Sequence, residues 1–274
     1  MSIIGISLIV IGLGYTFFVL AILSSVVRRG RNLYRETLPV SADAVAGLDI
    51  EKLRGLTWQF QELGFVHLQD YTSQVYSSPD GQRNPNSSPP IADPIADAAV
   101  TAFAKLEDFS RIMVHLEQGC FGCIQFLNTN ASQGSASKAR WLFAEIYSLS
   151  GVEAGDWSYA TNNQDFPINI DLSIRVVRQP RWLTTEIKGA SIQELLNVHL
   201  RRREEVAVAA GVTWQRRLEL TDHHEMISRA YAASRHFYAS MTAWKLRKRL
   251  LQVRSGRKSS EWLGELEGRL TVAR

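Results

Sequence analysis

Residues 110–127 read SRIMVHLEQGCFGCIQFL, and the reading of this stretch decides the fold class. Two runs rich in β-branched and aromatic residues, Ser110–Leu116 and Cys120–Leu127, flank the turn Glu117-Gln118-Gly119. Runs of this kind joined by a short glycine-bearing turn form a β-hairpin. The hairpin predicts an antiparallel sheet, which can keep one face in water.

Toward the N-terminus, Phe65–Tyr76 continues the strand chemistry. Before it, Ile50, Leu53, Leu56, Phe60 and Leu63 recur at three- and four-residue steps, which predicts an amphipathic helix over Asp49–Leu63. Asp49 is its N-cap and Gly64 its stop. Residues 28–48 read as a linker stiffened by Pro39. Residues 77–94 carry Pro79, Pro85, Pro89, Pro90 and Pro94, which no central strand accepts, and read as an exposed loop.

Toward the C-terminus, Arg140–Leu149, Gly155–Thr161 and Ile168–Val177 extend the sheet as a meander. Ser191 and Glu194 then form a capping box that opens a helix running to Gly211. A longer helix starts near Thr221-Asp222, with Ile227, Ala230, Tyr231, Ser234, Phe237, Tyr238, Met241 and Trp244 as its apolar stripe. The same helix is expected to continue into the basic segment KLRKRLLQVRSGRK, residues 245–258. Helix, sheet, then helices is an α+β arrangement. The expected units are an anchor over residues 1–27, the linker, an α+β domain over 49–210, and a basic helical region over 211–274.

The anchor expectation rests on Ile3–Val27, 25 consecutive residues without charge or proline, followed by Arg28-Arg29-Gly30-Arg31. A bilayer core of about 30 Å needs roughly 20 apolar residues in helical form. Nothing basic precedes the run and no small-residue cleavage site ends it, so it reads as a retained transmembrane helix rather than a signal peptide. Basic flanks stay cytoplasmic. The expected topology is single-pass, with the N-terminus outside and the remaining chain in the cytoplasm, and the lipid bilayer is a partner through Ile3–Val27.

Several short motifs carry a resemblance. They are LGF at Leu63–Phe65, HLEQGCFG at His115–Gly122, the run from Ser148 through DWSYATNN to Asn163, and SIQELLNVHLRRR at Ser191–Arg203. Together they resemble a group of uncharacterised bacterial proteins anchored by a single membrane span. The resemblance covers residues 50–205 and implies those domain limits. The group has no established activity, so it implies no functional residues.

Charge is divided along the chain. Residues 32–174 hold 8 Lys/Arg against 17 Asp/Glu, while residues 175–274 hold 20 against 10. Such asymmetry points to an anionic partner for the C-terminal part, or to packing of basic helices against an acidic sheet. The densest segment is residues 245–258, where seven of 14 positions are Lys or Arg. Its Trp244, Lys245, Arg247, Lys248, Arg249, Arg254, Arg257 and Lys258 are the candidate contacts to an anionic lipid surface or a protein partner. Nucleic acid would accept the charge, but no nucleic-acid module accompanies it.

Catalytic chemistry finds little support. Cys120 and Cys123 form the chain's C-x-x-C, yet in a regular strand they point to opposite faces, which spoils disulfide and metal geometry alike. His223 and His224 diverge by about 100° on a helix, His236 misses the spacing of a zinc helix, and His199 reads as a packed histidine. Ser135 and Lys138 match S-x-x-K without its companion motifs. No nucleophile, base and orienter assemble, and no metal or cofactor is expected. The leading expectation is therefore a non-enzymatic interaction module. The alternative is an enzyme or small-ligand sensor, with His115, Glu117, Trp141 and Trp157 around a pocket on the sheet.

Overall fold

The computed structural model describes residues 21, 23–24, 26–27, 34–76, 106–129, 139–165, 177–256 and 260–270. They form an α+β fold around an eight-stranded sheet in which the spatial order follows the chain order. The strands are β1 (Tyr34–Pro39), β2 (Val66–Tyr76), β3 (Leu106–His115), β4 (Cys120–Thr129), β5 (Ala139–Leu149), β6 (Ser158–Asn162), β7 (Trp182–Glu186) and β8 (Glu261–Trp262). The helices are α1 (Ile50–Glu62), α2 (Ile192–Ala210), α3 (Leu220–Ser240) and α4 (Ala243–Gly256).

The expected hairpin is β3 and β4, paired from Leu106↔Thr129 to His115↔Cys120. Strands β1 to β6 form the antiparallel meander, but β7 lies parallel to β6, so the sheet is mixed. Three strands were not legible as such: β1 occupies the expected linker, β7 lies between the last expected strand and the Ser191 helix, and β8 lies in the expected helical region and pairs with β7. The edge strand expected over Ile168–Val177 and the loop over residues 77–94 lie almost wholly outside the described residues.

Strand alternation divides the side chains between two covered faces. On one face Phe109, Met113, Ile124, Phe126 and Ile146 pack with Leu53, Phe60 and Phe65 of the α1 hairpin and with Ile192, Leu195 and Leu196 of α2. On the other, Tyr71, Ile112, Val114, Phe121, Cys123 and Tyr147 pack with Leu218 and Met226 around the start of α3. A third cluster, with Trp157, Tyr159, Leu183, Val206, Trp214 and Leu266, seals the β6–β7 end beneath α2.

The helix ends follow local chemistry. Asp49 accepts from the Lys52 amide at 3.0 Å, and Ser191 and Glu194 exchange hydrogen bonds as a capping box. Gly211 closes α2 in the left-handed conformation. The single long C-terminal helix is corrected: Met241 is extended (φ −90°, ψ 143°), and the Thr242 hydroxyl accepts from the Lys245 amide at 3.2 Å to start α4 afresh.

The transmembrane helix and the single-pass topology are also corrected. No helix among the described residues is long and apolar enough to cross a membrane. Of Ile3–Val27, only residues 21, 23, 24, 26 and 27 are described. There one side of the run's end packs on protein, while Ala21 and Ser24 are exposed. Val27 is 4 % exposed and packs on Leu246 of α4, with Leu23, Val26, Phe237, Met241 and Leu250 around them.

Gly122 marks the tightest approach between layers. A Cβ there would lie 2.6 Å from Cε1 of Phe60 and 3.0 Å from Cδ1 of Phe65. Gly122→Ala is therefore expected to destabilise the fold by about 1–3 kcal/mol through overpacking, read as a lower urea midpoint with an unchanged slope.

Candidate functional site

The basic helix is the first site to locate. On α4, Leu246 is 2 % exposed against Val27, while Trp244 is 60 % and Leu251 57 % exposed. Lys245 and Lys248 are exposed as well. Positions 244, 248 and 251 fall at i, i+4 and i+7, so Trp244, Lys248 and Leu251 share one outward stripe, with Lys245 on its flank. The Arg247 guanidinium stacks 5.3 Å over the Trp244 ring, and that of Arg249 stacks 5.5 Å over Trp262. These cation–π contacts hold two arginines against aromatic faces. Arg254 lies on α4 with its side chain outside the described residues, as are Arg257 and Lys258. The structure thus brings together Trp244, Lys245, Arg247 and Lys248, and turns Arg249 toward β8.

A second set of polar groups lies inside. Under α2, the Ser148 hydroxyl meets Nε2 of His199 at 2.9 Å, and Nδ1 of His199 meets the Thr161 hydroxyl at 3.3 Å. Thr161 donates on to Tyr159, whose hydroxyl donates to Thr185 at 2.9 Å, and Thr185 donates to Glu261 at 2.9 Å. Arg202 closes the chain with two bonds to Glu261, at 3.0 and 2.8 Å, and a further one to Glu205. Ser148 and His199 have the separation of a nucleophile and its base, but both are fully buried and a substrate has no access to them. Burial, with the Arg203 charge nearby, drives the His199 pKa well below its usual value, so the imidazole is neutral.

On the opposite face, cross-strand register lines up Cys123, Glu145, Asn162 and Glu186 in one polar row. Gln125 donates to Glu145 at 2.9 Å, and Arg178 donates to Glu186 at 3.0 Å. Burial raises the Glu145 carboxyl to about 7, against the pull of Arg178 and the bonds from Asn162 and Gln125. Further along this face, His223 of α3 sits between the hydroxyls of Tyr147, at Nδ1, and Tyr71, 3.2 Å from Nε2. Burial lowers the His223 pKa to about 3.

The remaining sequence candidates scatter. Cys120 packs in the α1/α2 core and Cys123 in the core beneath α3, both as free thiols on opposite faces. Burial pushes the Cys120 thiol up to about 12 and that of Cys123 well above its usual value, which leaves both unreactive. His115 is buried on the α1 side beside Phe65, Glu117 is exposed in the hairpin turn, Trp141 lies on the α3 side, and Trp157 belongs to the β6–β7 core. The four do not converge on one pocket. Ser135 and Lys138 lie outside the described residues. Among the described residues, no group of three or more His, Cys, Asp or Glu could hold a metal ion. No family model, curated protein or solved structure matches the chain.

Reasoning from sequence missed Glu145 and the Arg202–Glu261 pair, and weighed His223 only as a metal ligand. His223 carried a signal, since it falls one helical turn before Met226 and Ile227 on the inward stripe. The Arg202–Glu261 pair spans 59 residues and carried none.

Two measurements follow from these buried groups. Glu261→Ala removes two hydrogen bonds from the Arg202 guanidinium, 6 % exposed, and leaves Glu205 to hold it, so it is expected to cost about 1–3 kcal/mol in urea denaturation, whereas Arg202→Met with Glu261→Leu costs less. Glu145 retains its proton in the fold up to about 7 but loses it near 4.5 when unfolded, so it lowers stability as pH rises through that window. Glu145→Gln is therefore expected to melt above the parent at about pH 8, with the gap closing near pH 4.5.

Proposed function

We propose that the protein is a non-enzymatic interaction module that engages an acidic protein surface through the outer face of α4. The observation that carries this reading is the pairing of Trp244 and Leu251, each more than half exposed, with Lys245 and Lys248 on a helix whose other face is sunk at Leu246. An exposed tryptophan held by a neighbouring guanidinium offers a large, rigid contact at small entropic cost. The lysines around it steer an anionic partner and set its register. The excess of Lys and Arg over residues 175–274 extends the same field beyond the stripe.

The burial of Ser148, His199 and His223 supports a binding role over a catalytic one, because each is consumed by neighbours within the fold. A partner with carboxylates around an apolar centre fits the stripe. Its aliphatic or aromatic group would cover Trp244 and Leu251 while its acids meet Lys245 and Lys248.

Fluorescence anisotropy with a labelled poly-L-glutamate peptide tests the charge component, and a glutamate-rich peptide carrying leucines tests the apolar one. Binding is expected to weaken with added salt. It should fall at least tenfold, about 1.4 kcal/mol, in Trp244→Ala and in the double variant Lys245→Glu with Lys248→Glu. All three positions are exposed, so the variants should retain the parent circular dichroism. Equal binding by parent and variants overturns the proposal. So does binding to anionic phosphatidylserine vesicles with none to either peptide.

A further inference from the structure

The N-terminal end of α3 is set into the sheet by a histidine. Along 21 residues, His223 is the only fully buried side chain of that helix. Around it, Met226 is partly buried against the sheet, Tyr231 meets the Ser73 hydroxyl at 3.1 Å, and Arg229 pairs with Asp156 at 3.1 Å. His223 is therefore the point where the N-terminal end of the helix enters the sheet core, and half-buried positions further along α3 pack beside it.

That imidazole has a specific setting. Its ring nitrogens meet the hydroxyls of Tyr147 from β5 and Tyr71 from β2, and its faces meet Phe121, Tyr147 and Tyr71 at centroid distances of 5.8, 6.0 and 5.4 Å. A neutral imidazole matches the pair of hydroxyls, donating to one and accepting from the other. An imidazolium must donate at both nitrogens, so the hydroxyl that donated before loses its acceptor.

The titratable groups facing this position are Tyr71 on β2, Cys123 on β4, Glu145 and Tyr147 on β5, and His224 on α3 itself. Neither tyrosine nor the thiol carries a negative charge near neutral pH. Glu145 lies two positions from Tyr147 along β5, on the same face, and itself holds a proton up to about 7. His224 adds a like charge when protonated. Among the described residues, no carboxylate is hydrogen-bonded to His223 to compensate an imidazolium in acid.

We infer that His223 is an acid-sensitive pin, and that its protonation releases α3, together with the α4 recognition helix that follows, from the sheet. Released, the helix uncovers Tyr71, Ile112, Val114, Phe121 and Tyr147 as an apolar face. In the closed form His223 stays neutral down to about 3, whereas in the open form it titrates near the ordinary 6.5. The closed form is therefore fully favoured above about 6.5 and loses ground as pH falls. The opening constant grows about tenfold for each pH unit below that, or about 100-fold by pH 4.5.

Hydrogen exchange read by mass spectrometry on the full chain, at about pH 7 and about pH 4.5 and corrected for intrinsic exchange, tests this pin. Protection of Leu220–Ser240 and Ala243–Gly256 should fall about 100-fold on acidification, with a much smaller change in α1 and β3–β5. In His223→Gln, which keeps a neutral hydrogen-bonding side chain, the extra loss should vanish. If that variant does not fold, the parent alone still decides the matter. Equal loss across α2, α3 and the sheet means global unfolding and overturns the inference, as does unchanged protection of α3. Acid-dependent loss that persists in a folded His223→Gln overturns it too.

Discussion

Burial of the β3–β4 hairpin on both faces is the constraint on which the rest of the structure depends. Phe109, Met113 and Ile124 point one way and Ile112, Phe121 and Cys123 the other, and all are withdrawn from water. An antiparallel sheet can leave one face wet, but this one cannot without exposing a row of large apolar side chains. The hairpin therefore demands cover on two sides. Helices α1 and α2 supply it on one, and the start of α3 supplies it on the other. The space at Gly122 shows how closely the first layer settles, since even a methyl group would collide with Phe60.

Two-sided burial drives the polar groups along the sheet to partners within it, with Oε1 of Gln69 and Nδ1 of His115 as exceptions among the described residues. The answer differs between the faces. Beneath α2 it is a continuous run of hydrogen bonds from Ser148 through His199, Thr161, Tyr159 and Thr185 to the ion pair of Glu261 with Arg202. That run ties the C-terminal strand β8 to the body, so the end of the chain completes the sheet. On the opposite face the polar groups are fewer and carry two opposed titrations. Glu145, among Gln125, Asn162 and Arg178, lowers stability as pH rises from about 4.5 to 7, and His223 beneath α3 lowers it as pH falls below about 6.5, so the two offset each other in global stability across that interval. Chemistry that would suit catalysis in an open cleft is spent on holding layers together, and the exposed cationic and apolar side chains lie on the outer surface of α4.

Much of this was legible because it is local. The hairpin showed in its composition and turn, α1 in its three- and four-residue steps, and α2 in the capping box of Ser191 and Glu194. The exposed cationic stripe on α4 was legible in outline, from charge density alone. What escaped depends on partners far along the chain. β1 reads as a linker because Tyr34–Pro39 has no apolar alternation, and it becomes a strand only by pairing with β2. β7 and β8 are short and set by parallel and terminal pairings. The break at Met241 has no proline or glycine to announce it. The apolar run before Arg28 satisfied every length criterion for a bilayer. Hydropathy cannot tell a lipid neighbour from a protein one, and Val27 has Leu246.

The two cysteines report separately on the two faces, which makes thiol reactivity the most direct test of a sheet covered on both sides. With a water-soluble disulfide reagent at about pH 8, the native protein should label at neither Cys120 nor Cys123, and both should become reactive together across the urea unfolding transition. Rapid labelling of either thiol in the native protein, located by peptide mapping, would mean that its face lies open and would contradict the account.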